Sequence, residues 1–143
     1  MTTANDVIAV ARSLLGVPFH HQMRSRLGID CAGVPIFIAR ELALVDSDFD
    51  VNGYPKMPDG KTLQAYCDRH MIVANAPEAG GAVLIAWRDG PPHHLGIVAN
   101  HVGGGLSIIH ADGERQKKVI ETRLEFSNYF RLVRAYRFAG VSY

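Results

Sequence analysis

A change of hydrophobic period near Gly80 constrains this chain more than any other feature. Before that point apolar residues recur at helical spacing. After it they gather in short runs rich in β-branched and aromatic residues, namely Ala82–Trp87, Leu95–Ala99, Leu106–His110, Val119–Thr122 and Leu132–Phe138. Helices first and an antiparallel sheet second define an α+β domain. Over 143 residues there is no repeat, low-complexity tract or linker, so residues 1–143 read as one domain.

Three helices are expected in the first half. Thr3 and Asp6 form a capping pattern ahead of a stripe of Val7, Ala11, Leu14 and Leu15, ended by Gly16. Residues from Gly16 to Gly28 read as a loop carrying His20, His21, Arg24 and Arg26. A second helix should start at Cys31 or within a residue or two and run to about Leu44. If Asp30 caps it, Pro35 falls just past the first turn and removes one helical hydrogen bond, so the start is either irregular or nearer Gly33. Asp46 to Asp59, with Asn52-Gly53, Pro55 and Pro58, reads as a long loop, and Asp59 caps a third helix reaching His70.

Charge and composition exclude several classes. Apolar residues make up 48% and charged residues 20%, which favours a packed globule over disorder. A net charge of +1 points to neither nucleic acid nor an acidic membrane surface. No apolar run approaches the roughly 20 residues of a membrane span, so no membrane insertion is expected. Met1–Asp6 lacks the basic and apolar regions of a secretory signal. Synthesis in the cytoplasm and any export by another route, such as delivery within a larger particle, are therefore expected. Cys31 and Cys67 are too few for a disulfide scaffold; both are expected as free thiols, Cys67 half-buried in a helix and Cys31 reactive.

The chemistry centres on Asp30-Cys31-Ala32-Gly33. A cysteine attacks as the thiolate, and a helix start offers unpaired N–H groups and partial positive charge that lower its pKa. The Cys31 N–H can then help hold an oxyanion. A buried structural cysteine beside a capping aspartate is the plain alternative. Two histidines favour the catalytic reading: His94 in His94-Leu95-Gly96-Ile97-Val98 and His110 in Ile108-Ile109-His110-Ala111. These segments read as hairpin partners, and in a register near symmetric pairing both imidazoles share a face. They would lie directly opposite at about 4.5–5.5 Å, or diagonally somewhat further apart. One can act as base on Cys31 while the other orients it. His93 should point the other way by strand alternation, His101 falls in the turn, and His20, His21 and His70 read as solvated.

Zinc is the competing use for His20, His21, His94, His110 and Asp112. The chain has neither His-Glu-x-x-His nor a Cys-x-x-Cys pair, so no metal and no cofactor is expected. Arg24 and Arg26 either flank the cleft and bind substrate carboxylates or sit in a solvated loop, with the solvated loop preferred. Trp87 either walls the cleft or joins the core. The tail from Arg131 to Tyr143 either completes the sheet or docks on a partner.

Taken together, Gly16-Val17-Pro18-Phe19, Gly28-Ile29-Asp30-Cys31-Ala32-Gly33-Val34, His94-Leu95-Gly96-Ile97-Val98 and Ile109-His110-Ala111 resemble the NlpC-like cysteine peptidase family. The pattern spans about Ala4 to Asp112. The resemblance implies a papain-like α+β fold, with Cys31 as nucleophile, His94 as base and His110 as the orienting third member. It also implies hydrolysis of bacterial peptidoglycan stem peptides, typically between D-glutamate and a diamino acid, through an acyl-enzyme. Asp30 and Phe19 would then lie on the substrate side. The chain departs from the pattern where Ala32 replaces a serine and Phe19 a tyrosine. Those departures count against recognition of a free L-alanine amine and leave Asp30 mainly as a helix cap. The stretch from Gly53-Tyr54-Pro55 to Asp59-Gly60-Lys61-Thr62-Leu63 resembles the phage-tail and gene-transfer-agent branch. Tail-tip or hub proteins would be partners there, and the wall of a target cell the site of action. Alternatives are a structural tail-tip plug with an inactive or regulated site, or an amidase or acyltransferase using the same three residues.

Overall fold

The first helix, α1 (Ala4–Ser13), begins at a complete capping box: Thr3 N–H donates to Asp6 Oδ2 at 2.8 Å and Asp6 N–H donates to Thr3 Oγ1 at 3.3 Å. Such a cap contributes about 1 kcal/mol. Val7, Ile8 and Ala11 are buried, as is Leu14 at the cap, whereas Leu15 is exposed because helical spacing has ended. The architecture comes from a computed structural model that describes residues 1–56, 59, 61–127 and 129–143. Pro58 and Gly60, which belong to the expected loop and to the tail-branch stretch, lie outside the described residues.

The segment expected as plain loop before Cys31 contains a short hairpin, β1 (Arg24–Ser25) with β2 (Gly28–Ile29). Two-residue strands carry no periodicity and are unreadable in a sequence. Helix α2 (Gly33–Glu41) stops short of Leu44. Ala43 adopts φ +54°, Ala43 N–H donates to Arg40 C=O and Leu44 N–H to Ala39 C=O, a Schellman closure formed without glycine. Helix α3 (Thr62–His70) is preceded by Asp59, whose Oδ1 accepts from Lys61 N–H (3.0 Å) and Thr62 N–H (2.8 Å).

Six antiparallel strands follow: β3 (Ile72–Ala74), β4 (Ala82–Trp87), β5 (Pro92–Asn100), β6 (Leu106–Asp112), β7 (Lys118–Arg123) and β8 (Phe130–Arg137). Their spatial order is β3-β8-β4-β5-β6-β7. The C-terminal run therefore completes the sheet, wedged between β3 and β4. Strand β3 was not expected, being only three residues long. One face of the sheet packs Leu84, Leu95, Ile97, Ile109 and Ala111 against Val7, Ala11, Val34 and Ile38 of the helices. The other face buries Val83, Ile85, Val98, Ile108 and Ala135 in a smaller cluster. Helices packed on an antiparallel sheet make this an α+β fold, as the change of period implies. Among the described residues no helix is long and apolar enough to cross a membrane.

Candidate active site

Cys31 is positioned by the residue before it. Asp30 C=O accepts Val34 N–H at 3.3 Å and Asp30 Oδ1 accepts Gly33 N–H at 2.7 Å, so Asp30 performs the capping job. Regular helix nevertheless begins at Gly33. Pro35 has no N–H to give the Cys31 carbonyl, and Cys31–Ala32 remain a turn. Gly33 is required here, because a Cβ would sit 2.6 Å from the Met23 carbonyl and 3.0 Å from Asp30 Oδ1. Cys31 is partly exposed at the mouth of this turn.

The expectation of a lowered thiol pKa does not hold. Burial, then the Asp30 carboxylate, push the Cys31 thiol up to about 11, against the Leu95 and Ala32 N–H groups and Arg24, which favour the thiolate. Desolvation and a like charge together outweigh the helix start. At neutral pH Cys31 therefore rests as a thiol.

The imidazoles come from the β5–β6 hairpin. Ile97 pairs with Ile109 and Val98 with Ile108, which sets His94 and His110 diagonally on one face, the second of the two expected arrangements. His94 Nε2 and His110 Nδ1 are 2.6 Å apart, the rings edge to face with centroids 4.7 Å apart. Gly96 makes this approach possible. A Cβ there would overlap the Ile108 side chain and press on His110 Cβ at 3.3 Å. Burial is the main reason that His94 is depressed to about 3, with His110 and His93 adding repulsion and Asp112 opposing. His110 is also lowered by burial, again against Asp112. Both rings rest neutral.

His93 departs from its expected place. Ile85 pairs with His94 but Ala86 pairs with Pro92, so His93 is the extra residue of a β-bulge and escapes strand alternation. It lines the same cleft as His94 and stacks on Trp87 at 5.1 Å, while Trp87 stacks in turn on Phe130 at 4.4 Å. The cleft, about 530 Å³, is bounded by Phe19, Cys31, Tyr54, Trp87, His93 and His94, and His110 stands behind His94. His21 also lines it, edge-on to Tyr54 at 5.6 Å, rather than being fully solvated. A smaller, mostly apolar cavity of about 120 Å³ between α2, α3 and the loop before α3 contains neither Cys31 nor His94.

Of the residues expected to meet substrate, Phe19 and Trp87 line the cleft and Arg24 turns inward. Arg24 and Asp30 form a buried pair, their side chains 7% and 3% exposed, at 2.8 Å. Arg26 points away, bonding Ser13 and lying over the Phe37 ring. Asp30 Oδ2 accepts from Gln22 N–H (2.7 Å) and from the Tyr54 hydroxyl (2.6 Å), so both oxygens are filled from within the protein. Phe19 has no hydroxyl for Asp30, and Tyr54 supplies one from a loop more than twenty residues downstream. Sequence reasoning missed Tyr54 as a site residue; its only signal was the Gly53-Tyr54-Pro55 stretch. Among the described residues no three His, Cys, Asp or Glu side chains converge so as to hold a metal ion.

The fold that carries this turn-borne thiol and these sheet-borne imidazoles is papain-like, of the kind seen in NlpC/p60 domains. The chain overlays on the NlpC/p60 domain of the peptidoglycan hydrolase SagA with a TM-score of 0.58 and 18% identity, covering 96% of this chain and all of that one. An NlpC/p60 family protein from Bacillus cereus gives 0.63 at 20% identity, covering 95% of this chain but only 40% of that protein. An N-acetylmuramoyl-L-alanine amidase from Bacteroides uniformis gives 0.61 at 12% identity over 94% and 97% of the two chains. No family model matches the sequence, and comparison with curated proteins yields no match. The likeness is one of fold.

Proposed function

We propose that this chain is an NlpC-like cysteine endopeptidase that cleaves an amide bond in the peptide stems of bacterial peptidoglycan. The observation that carries this reading is that Cys31 and His94 line one cleft while His110 Nδ1 holds His94 Nε2 at 2.6 Å. The solved folds that resemble it include a peptidoglycan hydrolase and a muramoyl-alanine amidase, which supports a wall substrate.

The His94–His110 hydrogen bond admits the proton on either ring, and the proposed chemistry uses one of the two arrangements. With the His94 proton on Nε2, donated to His110 Nδ1, the lone pair on His94 Nδ1 is available to the thiol. Cys31 passes its proton there as sulfur attacks the amide carbonyl, and the tetrahedral oxyanion forms beside the Cys31 N–H. The His94 imidazolium then protonates the departing amine, leaving a thioester. Water, deprotonated by neutral His94, releases the acyl group and restores the thiol. His110 stays neutral and keeps the ring oriented.

Because Asp30 is filled by Arg24, Gly33, Gln22 and Tyr54, cleavage does not require a free amine on the stem. We further propose that the chain works in a phage-like tail or gene transfer agent, bound to tail-tip or hub proteins and acting on the target wall, on the strength of the Gly53–Leu63 resemblance.

The test is mass spectrometry of defined stem peptides and wall fragments incubated with the protein and with particles carrying it. Internal stem cleavage, abolished in Cys31→Ala with the fold retained, is expected. Release of an intact stem from muramic acid would make it an amidase. No product from either preparation would leave a structural plug.

A further inference from the structure

Arg24 is the most densely bonded side chain near the nucleophile, yet it does not reach the substrate cleft. Its Nε donates to Asp50 (2.9 Å), its Nη1 to Asp30 (2.8 Å) and the Met23 carbonyl (3.1 Å), and its Nη2 to the Val51 carbonyl (2.9 Å) and the Tyr54 hydroxyl (2.5 Å). All five N–H groups of the guanidinium are thus engaged inside the protein. They join three segments: β1, the turn holding Cys31, and the loop through Asp50 and Tyr54 that forms one cleft wall. Gln22 takes a left-handed φ of +61° to bring its own N–H to Asp30, so the backbone is bent to serve the same carboxylate.

We propose that Arg24 is a positioning residue for Cys31: it neutralises Asp30 beside the sulfur and clamps the Tyr54 wall of the cleft. This rests on the cysteine-nucleophile reading above. The Asp30 carboxylate opposes thiolate formation and Arg24 favours it, so the pair allows a carboxylate to cap the helix without silencing its neighbour. The other ionisable groups facing the thiol or Asp30 include His21, whose Nδ1 lies 3.8 Å from Asp30 Oδ2, the Tyr54 hydroxyl, His93 and His94 across the cleft, and Cys67 from α3, held protonated by burial, which raises it to about 12.

Iodoacetamide alkylation at pH 8, mapped to individual cysteines by peptide mass spectrometry, reads this without any substrate. Thiolate fraction sets the rate while the pH lies well below the pKa. Arg24→Met should slow Cys31 alkylation about tenfold, the effect of losing a neighbouring opposite charge. Asp30→Asn should speed it by a similar factor, and Arg24→Met with Asp30→Asn should return it to within about threefold of the parent. Arg24→Lys should keep the parent alkylation rate while lowering kcat/KM on a stem peptide, since an ammonium restores charge but not the fork.

A purely structural role predicts the opposite sign, because loosening exposes both Cys31 and Cys67. A folded Arg24→Met protein alkylated at or above the parental rate overturns the proposal. If that variant does not fold, an Asp30→Asn protein reacting no faster than the parent overturns it. The expected pattern in a protein that cuts no wall peptide would retain Arg24's role and sink the endopeptidase reading. Cleavage without the pattern would do the reverse.

Discussion

The two walls of the cleft hold their polar groups in opposite ways. On the helical side, Asp30, Arg24 and Tyr54 are charged or strongly polar, buried, and bonded to saturation. On the sheet side, His94 and His110 share one hydrogen bond between two neutral rings. A saturated buried ion pair cannot change its protonation without leaving a charge unpaired, so it is suited to holding geometry. A neutral imidazole with one nitrogen held can gain and lose a proton at the other. The cleft thus sets a saturated ion-pair network on one side and two neutral imidazoles on the other, with Cys31 lining the space between.

Removing His94, the base in the proposed chemistry, should break the comparison most severely. His94→Ala is expected to lower kcat on a stem peptide by about 10²–10⁴-fold, the usual range for a lost general base. His110→Ala removes one neutral hydrogen bond worth about 1 kcal/mol, so roughly a fivefold loss is expected in the same steady-state assay. Equal losses would assign the two rings equal chemical roles.

On the helical side the effect should appear as stability. Asp30→Ala leaves the Arg24 charge buried without its main partner and should cost about 3–5 kcal/mol in urea unfolding. A loss under 1 kcal/mol would show that the network is not the anchor described. Gly96→Ala tests the closeness of the rings. Its Cβ must displace Ile108 and crowd His110, for about 1–3 kcal/mol of lost stability together with reduced turnover.

The last effect is a pH dependence. The unfolded chain takes up a proton on His94 near pH 6.5 and the folded chain only near 3, so the unfolded state binds more protons between those values. Stability should therefore fall as pH drops from about 6.5 towards 3 and be insensitive to this group above that window. Thermal unfolding from pH 7 to 4 should show a shallower slope in His94→Gln than in the parent.

Much of this was readable from local pattern. The Thr3 cap, the Asp59 cap, the span Ala82–Trp87 and the shared face of His94 and His110 each follow from periodicity or short-range hydrogen-bonding chemistry. What failed did so for definite reasons. His93 was misplaced because a bulge cancels alternation, and β1, β2 and β3 are too short to carry a period. Arg24 was assigned to solvent or substrate because nothing nearby in the chain announces Asp50, Val51 or Tyr54 as its partners.

The residues alone determined that a cysteine would sit within two residues of a helix start and that two imidazoles would meet on a hairpin, since both depend on neighbours a few positions or one turn apart. Only the tertiary structure decided the protonation of that cysteine and the occupancy of Asp30. Those depend on desolvation and on charges contributed by segments distant in the chain, and burial has no local signature.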